Sequence, residues 1–128
     1  MGDKARARAY ADSALAVSQA QAAAAPTDPQ AQALYGVMLA YLGRAAEARK
    51  AGDEAVQLAR GSTPLNRLYA LLQHVRINLA LGDNNGALDD LERYLAAQTT
   101  ITPAWLRIDP TFAQLRGNPR FERLTRGS

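Results

Sequence analysis

Few side chains in this sequence are able to act as catalysts. His74 is the only histidine, and cysteine is absent. Nucleophilic catalysis would need a serine or threonine beside this histidine and a carboxylate behind it, and no Gly-x-Ser-x-Gly motif presents such a serine. The acidic pairs Asp53-Glu54 and Asp89-Asp90 are neighbours in sequence, so on a helix their carboxylates point about 100° apart and cannot work together as acid and base. We therefore predict that the protein is not an enzyme.

The sequence also lacks the ligands of a metal or cofactor site. One histidine and scattered carboxylates are too few for a zinc site. The segment Asp83-Asn84-Asn85-Gly86 resembles the start of a calcium-binding loop, but its glycine comes too early and no glutamate closes the loop. We predict no metal and no cofactor.

One pair of polar residues interrupts an apolar helical pattern. His74 and Asn78 stand one helical turn apart, and Arg67 stands two turns before His74. The first interpretation is a hydrogen-bonded pair inside the protein, or a helix rotated so that both side chains face water. The second is a polar spot, formed by Arg67, His74 and Asn78, that recognises a peptide. We favour the first.

Composition and charge exclude several other classes. A chain of 128 residues without cysteine suits one domain and has no disulfide framework. The net charge of +3 is confined to the C-terminal end, because residues 1–100 carry ten basic and ten acidic residues, whereas residues 101–128 carry five and two. No run of apolar residues is long enough to span a membrane, and the first residues lack the apolar stretch of a signal peptide. We predict a cytoplasmic protein without a membrane partner.

The positioning elements are all predicted to be helices. Alanine, leucine, arginine and glutamine dominate, and most prolines follow a residue that caps a helix, in Asp28-Pro29, Thr63-Pro64, Thr102-Pro103, Asp109-Pro110 and Asn118-Pro119. Gly43 and Gly82 are typical of helix C-termini. These signals predict helices at about 3–24, 29–42, 44–60, 64–81 and 84–97, followed by short ones at about 110–116 and 119–125.

An internal repeat relates these helices. Shifted by 41 residues the third helix overlies the first, and shifted by 39 it overlies the fifth. Ala48, Gly52, Ala55, Val56 and Ala59 overlie Ala7, Ala11, Ala14, Leu15 and Ser18, and the first four also overlie Ala87, Leu91, Tyr94 and Leu95. The spacings keep each set on one helical face. This pattern predicts antiparallel helix pairs stacked in a row.

The clearest repeat unit runs from Pro29 to Arg60. It has the large-small pair Tyr35-Gly36, the turn Leu42-Gly43-Arg44, and small residues at Ala48 and Ala55. These residues resemble the tetratricopeptide repeat family, although the period of 39–41 residues exceeds the family's usual length of about 34. The resemblance implies an all-α antiparallel helix-pair solenoid of about 2.5 repeats over residues 1–100, with residues 101–128 as short C-terminal capping helices of the same domain.

The C-terminal segment has a resemblance of its own. The stretches from Trp105 to Phe112 and from Leu115 to Leu124 are similar to the end of bacterial multidomain signalling proteins. In those proteins, tetratricopeptide repeats follow a Ser/Thr kinase, a cyclase or a winged-helix domain. The resemblance implies a regulatory module of a signalling or transcription protein as one alternative function.

In such arrays the first helix of each pair lines a concave groove. That groove would consist of Ala33, Val37, Ala40, Tyr69, Leu72, Arg76 and Leu79. Because it is apolar with one cation, it suits an amphipathic helix or an apolar segment. The resemblance thus implies a non-catalytic interaction or scaffolding domain that presents this groove to a peptide, a helix or a neighbouring domain.

Two further surfaces have alternative interpretations. The C-terminal segment carries Trp105, Leu106, Phe112, Leu115, Phe121 and Leu124, which we expect to cap the open end of the repeats rather than to bind a partner. Its five arginines favour a solvated face over a nucleic-acid accessory module, because no nucleic-acid recognition motif accompanies them. The exposed side of the first helix is a candidate for self-association.

Overall fold

The computed structural model describes residues 2–97 and 103–126. Every described element is helical, and no strand occurs within these ranges. The helices are α1 (Gly2–Ala24), α2 (Pro29–Tyr41), α3 (Ala45–Arg60), α4 (Pro64–Ala80), α5 (Asn84–Ala97), α6 (Pro103–Leu106), a 3-10 helix (Pro110–Leu115) and α7 (Pro119–Thr125). The first five begin and end within one residue of the expected positions. The expected boundary near residue 100 lies outside the described residues.

Short polar side chains start the helices that begin with proline. Asp28 accepts a hydrogen bond from the backbone N–H of Gln30, and Thr63 accepts one from Asn66. Asp109 and Asn118 cap the 3-10 helix and α7 in the same way. Each capping side chain accepts from a backbone N–H that has no partner inside the helix. The proline that follows the cap residue has no N–H and so needs no acceptor. Thr102 lies outside the described residues.

Two glycine turns end α2 and α4 with the same geometry. Gly43 and Gly82 have φ angles of 76° and 78°, a left-handed conformation that suits glycine. After α2, the carbonyl of Leu39 accepts from the N–H of Arg44 at 3.0 Å. After α4, the carbonyl of Asn78 accepts from the N–H of Asp83 at 2.8 Å. These bonds form the Schellman motif, which turns the chain sharply into the next helix.

The first core cluster joins α1, α2, α3 and α4. It consists of Leu15, Val37, Leu39, Ala40, Ala48, Ala51 and Ile77. Small residues allow the helices to approach closely: a Cβ on Gly36 would lie 3.2 Å from the backbone N of Gly52 and 2.9 Å from Cδ1 of Ile77. Helix α2 is therefore held against both α3 and α4.

The second core cluster joins α4 and α5 to the C-terminal helices. Its members are Val75, Leu79, Ala87, Leu88, Leu91, Leu106, Phe112, Leu115 and Phe121. The rings of Phe112 and Phe121 stack with centroids 6.4 Å apart. The C-terminal segment thus shares a core with α4 and α5.

Three details of the C-terminal segment differ from expectation. The helix start expected at Thr102-Pro103, for which no bounds were predicted, gives only the four-residue helix α6, and the helix expected at 110–116 is a 3-10 helix with a kink at Phe112 (φ −102°, ψ 16°). Phe112, at the kink, has only 1% of its surface exposed. Trp105, expected to belong to the apolar cap, is 48% exposed instead.

No helix in the described ranges combines the length and the apolar character that crossing a bilayer requires.

Candidate functional site

The residues expected to line a concave groove do not form one continuous surface. Ala33, Val37, Ala40 and Leu79 are buried, with at most 6% of their surface exposed. Val37 and Ala40 belong to the first core cluster and Leu79 to the second. Because α2 is packed against three other helices, this side of it has no free surface to offer a partner.

The other three groove residues are partly exposed and have different neighbours. Tyr69 borders a cleft with residues of α1 and α2, including Gln21 and Leu34. Arg76 borders a different cleft beside the 3-10 helix. Leu72 packs against the second core cluster. By their spacing these three residues share one face of α4, but the buried residues Ala33, Val37 and Ala40 of α2 do not join them in the expected groove.

His74 and Asn78 are joined by hydrogen bonds to residues on two neighbouring helices. His74 Nδ1 bonds to Oδ2 of Asp90 on α5, and His74 Nε2 lies 2.8 Å from Oδ1 of Asp53 on α3. Asn78 donates to the same Asp90 oxygen at 2.8 Å and accepts from Arg49 Nη1 at 3.3 Å. We call Arg49, Asp53, His74, Asn78 and Asp90 the His74 network. It ties α3, α4 and α5 together.

Burial and the neighbouring carboxylates act in opposite directions on the pKa of His74. The side chain of Asp90 is 5% exposed and that of His74 is 18% exposed. Bonding to Asp90 raises the pKa of His74 above its ordinary value of 6.5, against the lowering effect of burial, and Asp53 raises it further. Both ring nitrogens face carboxylate oxygens, so the imidazolium can donate to both. Neither nitrogen is left to act on a substrate.

His74 and Asn78 thus lie inside the protein, where their shared acceptor Asp90 joins them. Arg67 does not join them; it borders a separate shallow cleft with Arg60 and Arg93. Arg49 and Asp53 were not expected as partners of His74 and Asn78. The signal was present, because these two residues of opposite charge have the same one-turn spacing as His74 and Asn78.

The segment Asp83-Asn84-Asn85-Gly86, which resembles the start of a calcium-binding loop, caps a helix. Asp83 Oδ1 accepts from the backbone N–H of Gly86 at 2.9 Å in the first turn of α5. Among the described residues, no group of three or more histidine and acidic side chains is arranged to hold a metal ion.

Two adjoining open cavities lie between α1 and α2. One cavity of about 670 Å³ and another of about 560 Å³ share Tyr10, Ala14 and Met38. We call their combined space the α1–α2 cleft. Its other lining residues are Ala7, Arg8, Ala11, Ser13, Val17, Ser18, Gln21, Leu34, Tyr41 and Leu42.

The cleft concentrates exposed apolar surface. Tyr10, Val17, Leu34 and Tyr41 are 79%, 59%, 38% and 60% exposed. They are four of the seven large apolar residues that the described ranges leave exposed. A contiguous apolar patch of this kind is typical of an interaction surface. The sequence indicated it only through the unpartnered side of the first helix.

Two arginines of the C-terminal segment form ion pairs within the protein. Arg107 pairs with Glu122 at 2.8 Å, and Arg120 pairs with Asp89 at 2.7 Å and with Glu92 at 3.0 Å. The backbone N–H of Gly117, and after it the pair with Arg107, hold the pKa of Glu122 below its usual range. These pairs attach α7 to α5 and α6, so these two arginines are already bonded to acidic side chains rather than free for phosphates.

Comparisons with protein-family models, with curated proteins and with solved structures find no match to this chain.

Proposed function

We propose that this chain is a non-catalytic interaction domain, built as a tetratricopeptide-like row of helix pairs, that binds another protein through the α1–α2 cleft. The observation that carries the proposal is the concentration of exposed apolar side chains around this cleft. Exposing such side chains to water costs free energy that a partner recovers on binding.

The helix-pair arrangement has two kinds of support. Helices α2 and α4 end in the same glycine turn, 39 residues apart. Helices α2 and α3 also approach closely, since a Cβ on Gly36 would lie 3.2 Å from the backbone N of Gly52. Equivalent turns and close contact within a helix pair are what a repeated helix pair requires.

The absence of a catalytic role is supported by the state of the best candidate. His74 is the sole histidine, and both of its ring nitrogens are bonded to carboxylates. A general base needs a free nitrogen within reach of a substrate proton.

Site-specific photo-cross-linking in cells of the source organism tests the interaction. We expect a photoreactive residue at Tyr10 or Leu34 to form a discrete adduct with a second protein. The matched control positions Ala16 and Glu54 are exposed on other faces of α1 and α3 and should form none. Equal yields at all four positions would contradict an interaction through this cleft.

A further inference from the structure

The internal repeat indicates what the α1–α2 cleft accepts. Helix α1 corresponds to α3, with Ala7, Ala11 and Ala14 in the places of Ala48, Gly52 and Ala55. On α3 these positions are covered, since Ala48 and Ala55 are each 0% exposed. The helix that covers them is α2, and its Gly36 fits against them: a Cβ there would lie 3.2 Å from Gly52 N and 3.3 Å from Ala48 O.

The second wall of the cleft follows the same correspondence. Helix α4 corresponds to α2, with Ile77 in the place of Met38. Ile77 is 1% exposed, and its Cδ1 would lie 2.9 Å from a Cβ on Gly36. Met38 is only partly buried and lines both cavities of the cleft. Thus α3 and α4 together hold a helix, whereas α1 and α2 present the same walls without one in the described part of the chain.

The correspondence also determines a direction. Helices α2 and α3 are joined by three residues and pack against each other, so they run antiparallel. A helix in the cleft would contact α1 and α2 in the way that α2 contacts α3 and α4. It would therefore run antiparallel to α1 and parallel to α2. Its last turn would then lie near Tyr41, Leu42 and Arg8, which border one end of the cleft.

Charge adds a preference at that end. The guanidinium of Arg8 favours the carbonyl end of a helix, and favours an acidic side chain there still more. The lining of α1 runs from Ala7 to Gln21, which matches a helix of about 14 residues at 1.5 Å per residue.

We infer that the α1–α2 cleft binds an amphipathic helix of a partner protein that has the pattern of α2. Its apolar face carries a large residue followed by glycine or alanine, the small residue packs against Ala11 and Met38, and an acidic residue in its last turn meets Arg8. This inference rests on the proposed function and names the kind of partner that the cleft takes.

A labelled synthetic peptide of residues 28–42 with the substitution Tyr41→Glu is the probe. Mixed with the full chain, it should give a saturable rise in fluorescence anisotropy. Ala11→Arg in the chain should weaken binding at least about tenfold, because the arginine fills the floor of the cleft. The matched control Ala16→Arg, on the exposed opposite side of α1, should bind as tightly as the original chain.

Two further variants test the register and the charge. Gly36→Leu in the peptide should remove binding, since a large side chain cannot enter between Ala11 and Met38. Arg8→Glu in the chain should weaken binding of the Tyr41→Glu peptide and strengthen binding of a Tyr41→Lys peptide. If Ala11→Arg lowers the helical content of the chain, Tyr10→Glu replaces it, since Tyr10 is 79% exposed and supports no core contact.

Three results would overturn the inference. The first is no saturable binding of the peptide, and the second is equal binding to the Ala11→Arg and Ala16→Arg chains. The third is a dimer in sedimentation that Ala11→Arg dissociates and the peptide does not, which would make a second copy the occupant. If cross-linking at Tyr10 still captures another protein in any of these cases, the proposed function stands and only the α2-like partner is rejected.

Discussion

At the scale of single residues, the buried carboxylate of Asp90 is the common acceptor of the His74 network. Asp90 is a carboxylate with a side chain only 5% exposed, and an unpaired charge in that position would be strongly destabilising. His74 and Asn78 both donate to it, from the same face of α4. Gly52 lets the ring approach α3 closely, because a Cβ there would lie 3.3 Å from His74 Cδ2.

We expect His74→Gln to destabilise the protein by about 3 kcal/mol at pH 6, as removal of one partner of a buried ion pair does. The pKa of His74 is raised in the folded state, so its stabilisation is complete below the ordinary value of 6.5 and is lost as pH rises through the folded-state value. Urea unfolding followed by circular dichroism should therefore show a smaller difference between variant and original at pH 9 than at pH 6.

Asp53→Asn is the control for this pH dependence. The Asp53 side chain is 73% exposed, and exposed ion pairs contribute less than about 1 kcal/mol. A His74→Gln effect that stays the same from pH 6 to pH 9 would mean that the His74 proton does not contribute to stability.

A second prediction at this scale concerns Gly36. Replacement by leucine would force side-chain atoms into the space between α2, α3 and α4, where even a Cβ is within 3.3 Å of backbone atoms. We expect a loss of about 3 kcal/mol in the free energy of unfolding. Gly61→Ala serves as control, since nothing lies within 4 Å of a Cβ there; a Gly36→Leu chain as stable as this control would contradict the close contact.

At the scale of the element, the helix ends were readable because capping is local. The acceptor and the donor of each cap are two or three residues apart, as with Asp28 and Gln30 or Thr63 and Asn66. The bounds of the helices follow from such contacts without knowledge of the rest of the fold. The 3-10 form of the short helix after Asp109 does not follow from local contacts. Its kink lies at Phe112, and the ring of Phe112 packs in the second core cluster.

The glycine turns provide the prediction at this scale. Gly82→Ala should cost about 1–2 kcal/mol, because φ is 78° there and an L-residue with a Cβ is strained in that conformation. No steric clash contributes, as a Cβ on Gly82 would meet nothing within 4 Å. Gly82→Asn should cost less, since asparagine tolerates the left-handed region; thermal unfolding of the two variants measures the difference. Equal stability of both variants and the original would show that the turn does not require this φ.

At the scale of the whole molecule, the C-terminal segment completes the core of the last helix pair. Phe112, Leu115 and Phe121 are at most 1% exposed and pack with Leu88 and Leu91 of α5. Removing residues 98–128 would expose this surface to water, at about 1.5–3 kcal/mol for each large side chain. A typical domain is stable by only 5–15 kcal/mol in total, so the shortened chain should be largely unfolded.

A pair of aromatic substitutions tests this role without shortening the chain. Phe121→Ala should lower the free energy of unfolding by about 3–5 kcal/mol, since the ring is 0% exposed and stacks on Phe112. Trp105→Ala removes a larger ring that is 48% exposed and should cost less than half as much. Chemical denaturation measures both values; similar losses would mean that the segment does not cap the core through Phe121.

The sequence by itself determined the class of the fold, the helices and their order, because propensity, capping and glycine turns act between residues close together in the chain. Only the tertiary structure decided which faces of those helices remain open. Ala33, Val37 and Ala40 are buried because α1, α3 and α4 all pack against α2. His74 bonds to Asp90 and Asp53, which are 16 and 21 residues away in the chain. The apolar surface that stays open is the α1–α2 cleft. Burial depends on how all the helices pack together, and no local pattern specifies that.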